Sequence, residues 1–188
     1  MAEQRLATDG YVFDFAEDAC DAYVFDSPEH NGIRNVMAPV DIIAELPNEY
    51  LFLELKKYSH EGMKFKCPLW REQRLIDSLC PLANDDKKRT NAVLKRIAAS
   101  LRKKYCDTFL YLYAEDKLYK PVNYVCVVGD LDSALCPRLQ DILQGQLPKG
   151  KPIPTWVQSI VKNVAVVNVN GWNSNDKLRR YGECRLEK

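Results

Sequence analysis

The chain has 188 residues, 46 % of them hydrophobic and 28 % charged, with a formal net charge of +1. That length and composition exclude a disordered chain and suit one globular domain with a real core, and no apolar run reaches the length of a transmembrane helix, so a cytoplasmic protein without membrane contact is expected. The near-zero net charge hides an asymmetry: residues 1–60 carry four Lys/Arg against twelve Asp/Glu, residues 61–105 twelve against five, and residues 106–188 eleven against nine.

In chain order, MAEQRLATDG reads as a loose leader without a secretory signal pattern. Phe13 to Asp21 is expected to form a short helix with Phe15, Ala19 and Ala22 on its apolar side, followed by a first strand over Ala22–Asp26. Glu17 and Asp21, four apart, would share a face of that helix. Residues 27–38 form a connection with turn chemistry at Asn31-Gly32. Val40–Leu46 and Tyr50–Lys56 are then two strand-like runs around the turn-prone Pro47-Asn48. A two-residue loop there sets Leu46 opposite Glu49 and, counting outward, Asp41 opposite Glu54. Moving the loop by one residue pairs Asp41 with Lys56 instead, and in both registers Asp41, Glu54 and Lys56 share one face. Two carboxylates and an ammonium on one side of an otherwise apolar hairpin are costly to build without a purpose.

Residues 59–88 read as an irregular insertion, with a short helix at 69–79 as an option. From Thr90 the positions Leu94, Ile97, Ala98, Leu101, Tyr105, Thr108, Phe109 and Leu112 follow a helical period to Ala114, with a break near Ser100 left open. Pro121–Gly129 suits a buried strand, which a crossover returns to the sheet. Asp132–Leu147 is an amphipathic helix capped by Asp132 or Ser133, and Ile153–Val161 a short helix opened by Pro154. Val164–Val169 is a further buried strand, and the tail from Trp172 is an edge strand or a fraying end. The seven cysteines include no C-x-x-C pair. Cys20, Cys106, Cys126 and Cys136 fall in apolar or helical patterns and read as reduced core residues, and His60, Cys67 and Cys80 match no zinc-site spacing.

Pro39-Val40-Asp41 followed by Glu54-Leu55-Lys56 resembles the active-site signature of the PD-(D/E)XK, or restriction-endonuclease-like, nuclease superfamily, with Val40 interposed between the Pro and the Asp. The order helix, strand, strand hairpin, helix, strand, helix, strand agrees with it. The resemblance implies an α/β fold in one unit over 1–188: a mixed central sheet flanked by helices, an αβββαβ nuclease core, an insertion at 59–88, and an extra C-terminal αβ unit within an extension at 131–188. Residues 108–148 are also similar to small bacterial proteins of unknown function that carry such a hairpin.

The activity implied is metal-dependent hydrolysis of phosphodiester bonds in DNA or RNA, with Mg²⁺ or Mn²⁺ as cofactor. Asp41, Glu54 and Lys56 would be catalytic. Asp41, Glu54 and the Leu55 carbonyl would hold the metal, joined by Asp21, or less favourably Glu17, from the first helix. Hard divalent cations take oxygen ligands, a metal activates water and neutralises charge at phosphorus, and a lysine ammonium adds positive charge where negative charge develops. The helix after the Glu-x-Lys strand would offer a polar residue such as Lys103 or Lys104, although solvated lysines are the simpler reading. Lys64, Lys66, Arg71 and Arg74, near Trp70, together with Lys95, Arg102 and Lys103, are the candidate nucleic-acid contacts. The charge asymmetry fits that division of labour and fits two solvated faces equally well.

No glycine-rich phosphate loop, Gly-x-Ser-x-Gly elbow or His-Cys nucleophile pair is present. Nor is there a zinc finger, helicase motif or helix-turn-helix to choose a target, so a protein partner or a homo-oligomer is expected to supply it. The alternative is a catalytically silent scaffold of the same fold that binds nucleic acid or a partner protein.

Overall fold

The computed structural model describes residues 4–16, 21–27, 36–56, 86–129, 131–151, 153–155 and 159–187. It is a mixed α/β architecture. Strands β3 (Asp21–Val24), β4 (Ile42–Glu45), β5 (Tyr50–Lys56), β6 (Val122–Val128) and β7 (Asn163–Val167) form one sheet in that spatial order. The first three are an antiparallel meander, whereas β6 runs parallel to β5 and β7 parallel to β6. Parallel neighbours need crossovers, and helices α1 (Asp86–Ala114) and α2 (Cys136–Gln144) lie in the two connections.

Both faces of β5 and β6 are buried, which explains their near-continuous apolar sequences. On one face Phe52, Tyr124, Cys126 and Val166 pack with Leu94, Leu101 and Tyr105 of α1 and Leu139 of α2. The other face, with Ile42, Leu51, Leu53, Val125 and Val127, is covered by a second sheet rather than by long helices. Its strands are β1 (Gln4–Thr8), β2 (Tyr11–Phe15) and β8 (Gly182–Leu186), antiparallel in the order β1-β2-β8. Two short helices, α3 (Val169–Ser174) and α4 (Asp176–Arg179), lead into β8. Trp172 fills the space between the layers, fully buried, edge-on to Phe13 at 5.2 Å, with its indole N–H donated to the Gly182 carbonyl at 3.0 Å. Each large side chain buried this way contributes roughly 1.5–3 kcal/mol.

Several expectations are corrected here. The leader is strand β1, and Phe13–Phe15 belong to strand β2 rather than to a helix; residues 17–20 lie outside the described residues. Asp9 and Gly10 both have positive φ, 51° and 77°, the geometry of a tight hairpin turn, and the aromatic run after them favours extended chain. Helix α1 passes through Ser100 without a break. Helix α2 starts at Cys136, not Asp132, because Pro137 lacks an amide hydrogen and suits the first turn. Residues 153–155 are turn and bend, and Val161 bridges Lys149, so the helix expected from Ile153 to Val161 is not formed in its described residues. The tail does add an edge strand, but to the second sheet. The short helix expected at 69–79, and Cys20, His60, Cys67 and Cys80, lie outside the described residues. Cys126 and Cys136 are buried as expected, whereas Cys106 is exposed.

Glutamine side chains lie along both outer strands of the central sheet. Gln4 donates to the Ala22 carbonyl and accepts from the Ala22 amide at 2.9 Å, on β3. On β7, Gln140 accepts from the Val166 amide at 3.1 Å and Gln144 donates to the Val164 carbonyl at 3.0 Å. No helix among the described residues is long and apolar enough to cross a membrane.

Candidate functional site

The β4–β5 hairpin closes with the Leu46 amide donating to the Glu49 carbonyl at 2.9 Å, so Pro47-Asn48 is the two-residue loop. The register then runs outward through Glu45↔Tyr50 to Ile42↔Leu53. At Asp41 it departs from the simple count. The Asp41 amide donates at 3.1 Å to Leu53, the residue already opposite Ile42, so two residues of one strand share one of the other in the manner of a β-bulge. The Asp41 carboxylate replaces the missing ladder acceptor and takes the Leu55 amide at 2.5 Å. A carbonyl lies on the same edge of a strand as its own amide, so the Leu55 carbonyl also faces the Asp41 side.

Glu54 is fully buried and Asp41 is 1 % exposed. Lys56 reaches Glu54 Oε1 at 2.6 Å, and a second ammonium arrives from α1: Lys104 Nζ lies 2.8 Å from Glu54 Oε1 and 3.3 Å from Asp41 Oδ1. These are ion-pair contacts at one oxygen. Glu54 Oε1 thus meets both ammoniums, whereas Glu54 Oε2 has no hydrogen-bond partner among the described residues. An orphaned buried carboxylate oxygen is expensive, and it is the observation that fits a hard cation. The oxygen donors available are Asp41, Glu54 and the Leu55 carbonyl. Among the described residues no group of three or more His, Cys, Asp or Glu side chains gathers, so waters would complete the shell of a bound Mg²⁺ or Mn²⁺.

Electrostatics follow from the burial. Burial above all, and then the charge of Asp41, raise the Glu54 carboxyl to about 8, against Lys104 and Lys56, which lower it. Asp41 is also raised by burial, despite Lys104, Lys56 and the Leu55 amide; Asp9, in the β1–β2 turn, adds to the rise. Burial disfavours the Lys56 ammonium, but Glu54 and Asp41 outweigh it and hold its pKa above the ordinary lysine value.

Helix α1 and the second sheet fix this geometry. Helix α1 anchors the segment before Asp41: Thr108 Oγ1 accepts the Val40 amide at 2.9 Å and Asp107 accepts the Ala38 amide at 2.8 Å. Lys104 thereby faces Asp41. The sequence offers Lys103 or Lys104 for this role, with solvated lysines as the simpler reading; it is Lys104, three residues after buried Leu101 and four before buried Thr108, that lies on the sheet-facing side. The second sheet pins Lys56. Tyr11 donates its hydroxyl to the Lys56 carbonyl at 2.6 Å, and the Gly129 amide meets both that carbonyl at 3.0 Å and Tyr11 Oη at 2.8 Å.

Other candidates fall elsewhere. Asp21 is not on a helix beside the site; it begins β3 opposite Glu45, four residues along β4 from Asp41, roughly 13 Å away at strand rise. Lys95, Arg102 and Lys103 are exposed on α1, and Lys103 is ion-paired with Asp107. Glu17, Lys64, Lys66, Arg71 and Arg74 lie outside the described residues. Comparison of the chain with protein-family models, curated proteins and solved structures returns no match.

Proposed function

We propose that the protein hydrolyses phosphodiester bonds of nucleic acid, DNA or RNA, with Mg²⁺ or Mn²⁺ as cofactor. The observation that carries this reading is the pair of buried carboxylates, with Glu54 Oε2 lacking a hydrogen-bond partner among the described residues, gathered with Lys56 and Lys104 at the end of β5. Support also comes from topology: an antiparallel three-strand meander followed by a helix and a parallel strand is the strand order of the nuclease core named above.

Asp41 and Glu54, with the Leu55 carbonyl, would hold the metal, which when bound activates water and offsets charge on the phosphate. Lys56, side chain 30 % exposed, is the ammonium within reach of an incoming phosphodiester, where it would stabilise the negative charge that builds at phosphorus. Lys104, at 15 %, stays behind the carboxylates, balances their charge and orients them. A protein partner or a second copy of the chain would supply the choice of target.

The test is cleavage of single-stranded and duplex DNA and of RNA with Mg²⁺ or Mn²⁺, with and without EDTA, by the wild type and by Asp41→Ala and Glu54→Ala. Loss of cleavage in EDTA and in both variants is expected. Cleavage that survives EDTA, or survives both substitutions together, would overturn the mechanism.

One observation favours the second reading, a catalytically silent scaffold: two ammoniums already balance two carboxylates without any metal. Thermal melting separates the two, since a metal that binds the folded chain preferentially raises Tm. A rise with millimolar Mn²⁺ that Asp41→Asn weakens supports the enzyme. No rise, with nucleic-acid binding indifferent to Lys56→Ala, supports the scaffold.

A further inference from the structure

At the end of the sheet opposite Asp41 lies a cavity of about 560 Å³, formed by the start of β3, the end of β4, the start of β5 and the C-terminal end of α1. Its walls are unusually aromatic. Tyr23, Tyr50, Tyr111 and Tyr119 line it together with Phe25. Asp21, Glu45 and Glu115 line it as well, against one lysine, Lys117. The 29-residue helix α1 ends there with no basic residue in its last turn, so the partial negative charge of its carbonyl end adds to that of the carboxylates. The negative potential registers on Tyr23, whose phenol is pushed up to about 12 by burial first and then by Asp21, Glu45 and Glu115.

The chain itself shows what such walls hold. The Lys120 ammonium lies 5.6 Å from the Tyr50 ring centroid and 5.2 Å from that of Tyr119, and it pairs with Glu45 at 2.6 Å and the Leu46 carbonyl at 2.9 Å. One side of the cavity thus accommodates a cation between ring faces and a carboxylate. The cavity lining carries the same kinds of group again in Tyr23 and Tyr111 with Asp21 and Glu115. Glu115 pairs with Lys117 at 2.5 Å, whereas Asp21 makes no ion pair among the described residues.

We propose that this cavity is a binding site for an organic cation, an alkylammonium or guanidinium group seated against Tyr23 and Tyr111 with Asp21 as its counter-ion. Ring quadrupoles attract such cations, and a carboxylate without an ion pair among the described residues supplies the complementary charge. A cavity of this volume suits a small molecule, and its walls are too aromatic for a hydrated metal ion. The site is independent of the carboxylate–lysine cluster, so it stands or falls apart from the proposed hydrolysis.

The experiment is a titration of the full chain with ethylguanidinium chloride and, at matched ionic strength, with ethylurea, the neutral molecule of similar shape. Affinity is read by calorimetry and location by amide chemical shifts. Ethylguanidinium should bind about tenfold more tightly than ethylurea, a difference within the cation–π range. Shifts should centre on Tyr23, Tyr111 and Glu115 and leave Asp41 and Glu54 unmoved. Asp21→Asn, an exposed and nearly isosteric change, should weaken binding several-fold, and Tyr111→Leu more, while Lys151→Gln, exposed and outside the cavity lining, leaves it unaltered. Tetramethylammonium in place of ethylguanidinium reports whether the ring faces suffice without N–H donors. Tighter capture of an acetylated arginine amide than of ethylguanidinium would assign the cation to a peptide side chain, and the reverse to a free small molecule. Equal affinity for ethylguanidinium and ethylurea, or affinity that Asp21→Asn leaves intact, overturns the proposal.

Discussion

Replacing Glu54 with Gln removes a buried charge, and the metal-free protein should report it as a change in how stability depends on pH. In the folded chain the Glu54 carboxyl titrates at about 8, raised by burial first and then by Asp41, against an ordinary value of 4.5. Between those values the unfolded chain has released a proton that the folded chain still holds, so stability falls as pH rises from about 4.5 to about 8 and is level above. Each pH unit inside that window is worth about 1.4 kcal/mol, which makes the full ramp on the order of 5 kcal/mol. That is comparable with the whole stability of many domains, typically about 5–15 kcal/mol. Lys56 is raised instead, so its contribution is fully present below the ordinary lysine pKa of 10.5 and lost only above it, outside this window. Asp41 is raised in the same direction as Glu54 but is present in both proteins, so most of its effect cancels in their difference. Urea unfolding in EDTA across about pH 5 to pH 8.5 should therefore show Glu54→Gln near the wild type at the acid end and gaining by several kcal/mol at the alkaline end. A stability difference that stays constant across that range would refute the reasoning, because it would mean that Glu54 is not held protonated by burial.

Lys104→Met leaves Lys56 alone to balance the two carboxylates and should cost about 3 kcal/mol near pH 8, less near pH 5, by urea unfolding in EDTA. Tyr11→Phe removes the hydroxyl that joins Lys56 and Gly129 and should cost about 1–2 kcal/mol. In Gly129→Ala the new Cβ would stand 2.4 Å from Tyr11 Oη, so a loss of about 1–3 kcal/mol should shrink in the Tyr11→Phe background, a coupling that a double-mutant cycle reads directly. Gly182→Ala should be worse than any of these in thermal melts: its φ is +130° and its Cβ would fall 2.1 Å from the Asp14 carbonyl oxygen, a backbone atom that cannot turn aside.

The hairpin was legible because two period-2 runs flank a turn-forming pair, and local rules suffice to fix a register of that kind. What those rules cannot see is the departure at Asp41, where an extra residue enters the ladder and the carboxylate turns to meet the Leu55 amide. Lys104 was legible in principle from its helical spacing, but a lysine near a buried stripe looks solvated until its partner carboxylates are placed. The N-terminal strands were misread for a different reason. Asp9-Gly10 before Tyr11-Val12-Phe13 is a local hairpin signal, yet β2 is completed by β8, and Arg185 pairs with Asp14 across 171 positions of sequence. Asp21 lies away from the site because Phe13–Phe15 already belong to strand β2 and Asp21 itself opens β3, at the far end of the hairpin from Asp41.

The glutamines on β3 and β7 have a consequence for how the molecule meets others. A primary amide offers the same donor and acceptor as a peptide group, so Gln4, Gln140 and Gln144 act as short pieces of borrowed strand. Ala22 on β3 and Val164 and Val166 on β7 are thereby engaged by the chain's own side chains where an incoming backbone would dock. The sheet cannot lengthen by recruiting a strand from a second copy, or from a partly unfolded neighbour, without first evicting a glutamine. A companion protein that approaches the central sheet therefore reads side chains on a face or a rim rather than an open edge of β3 or β7.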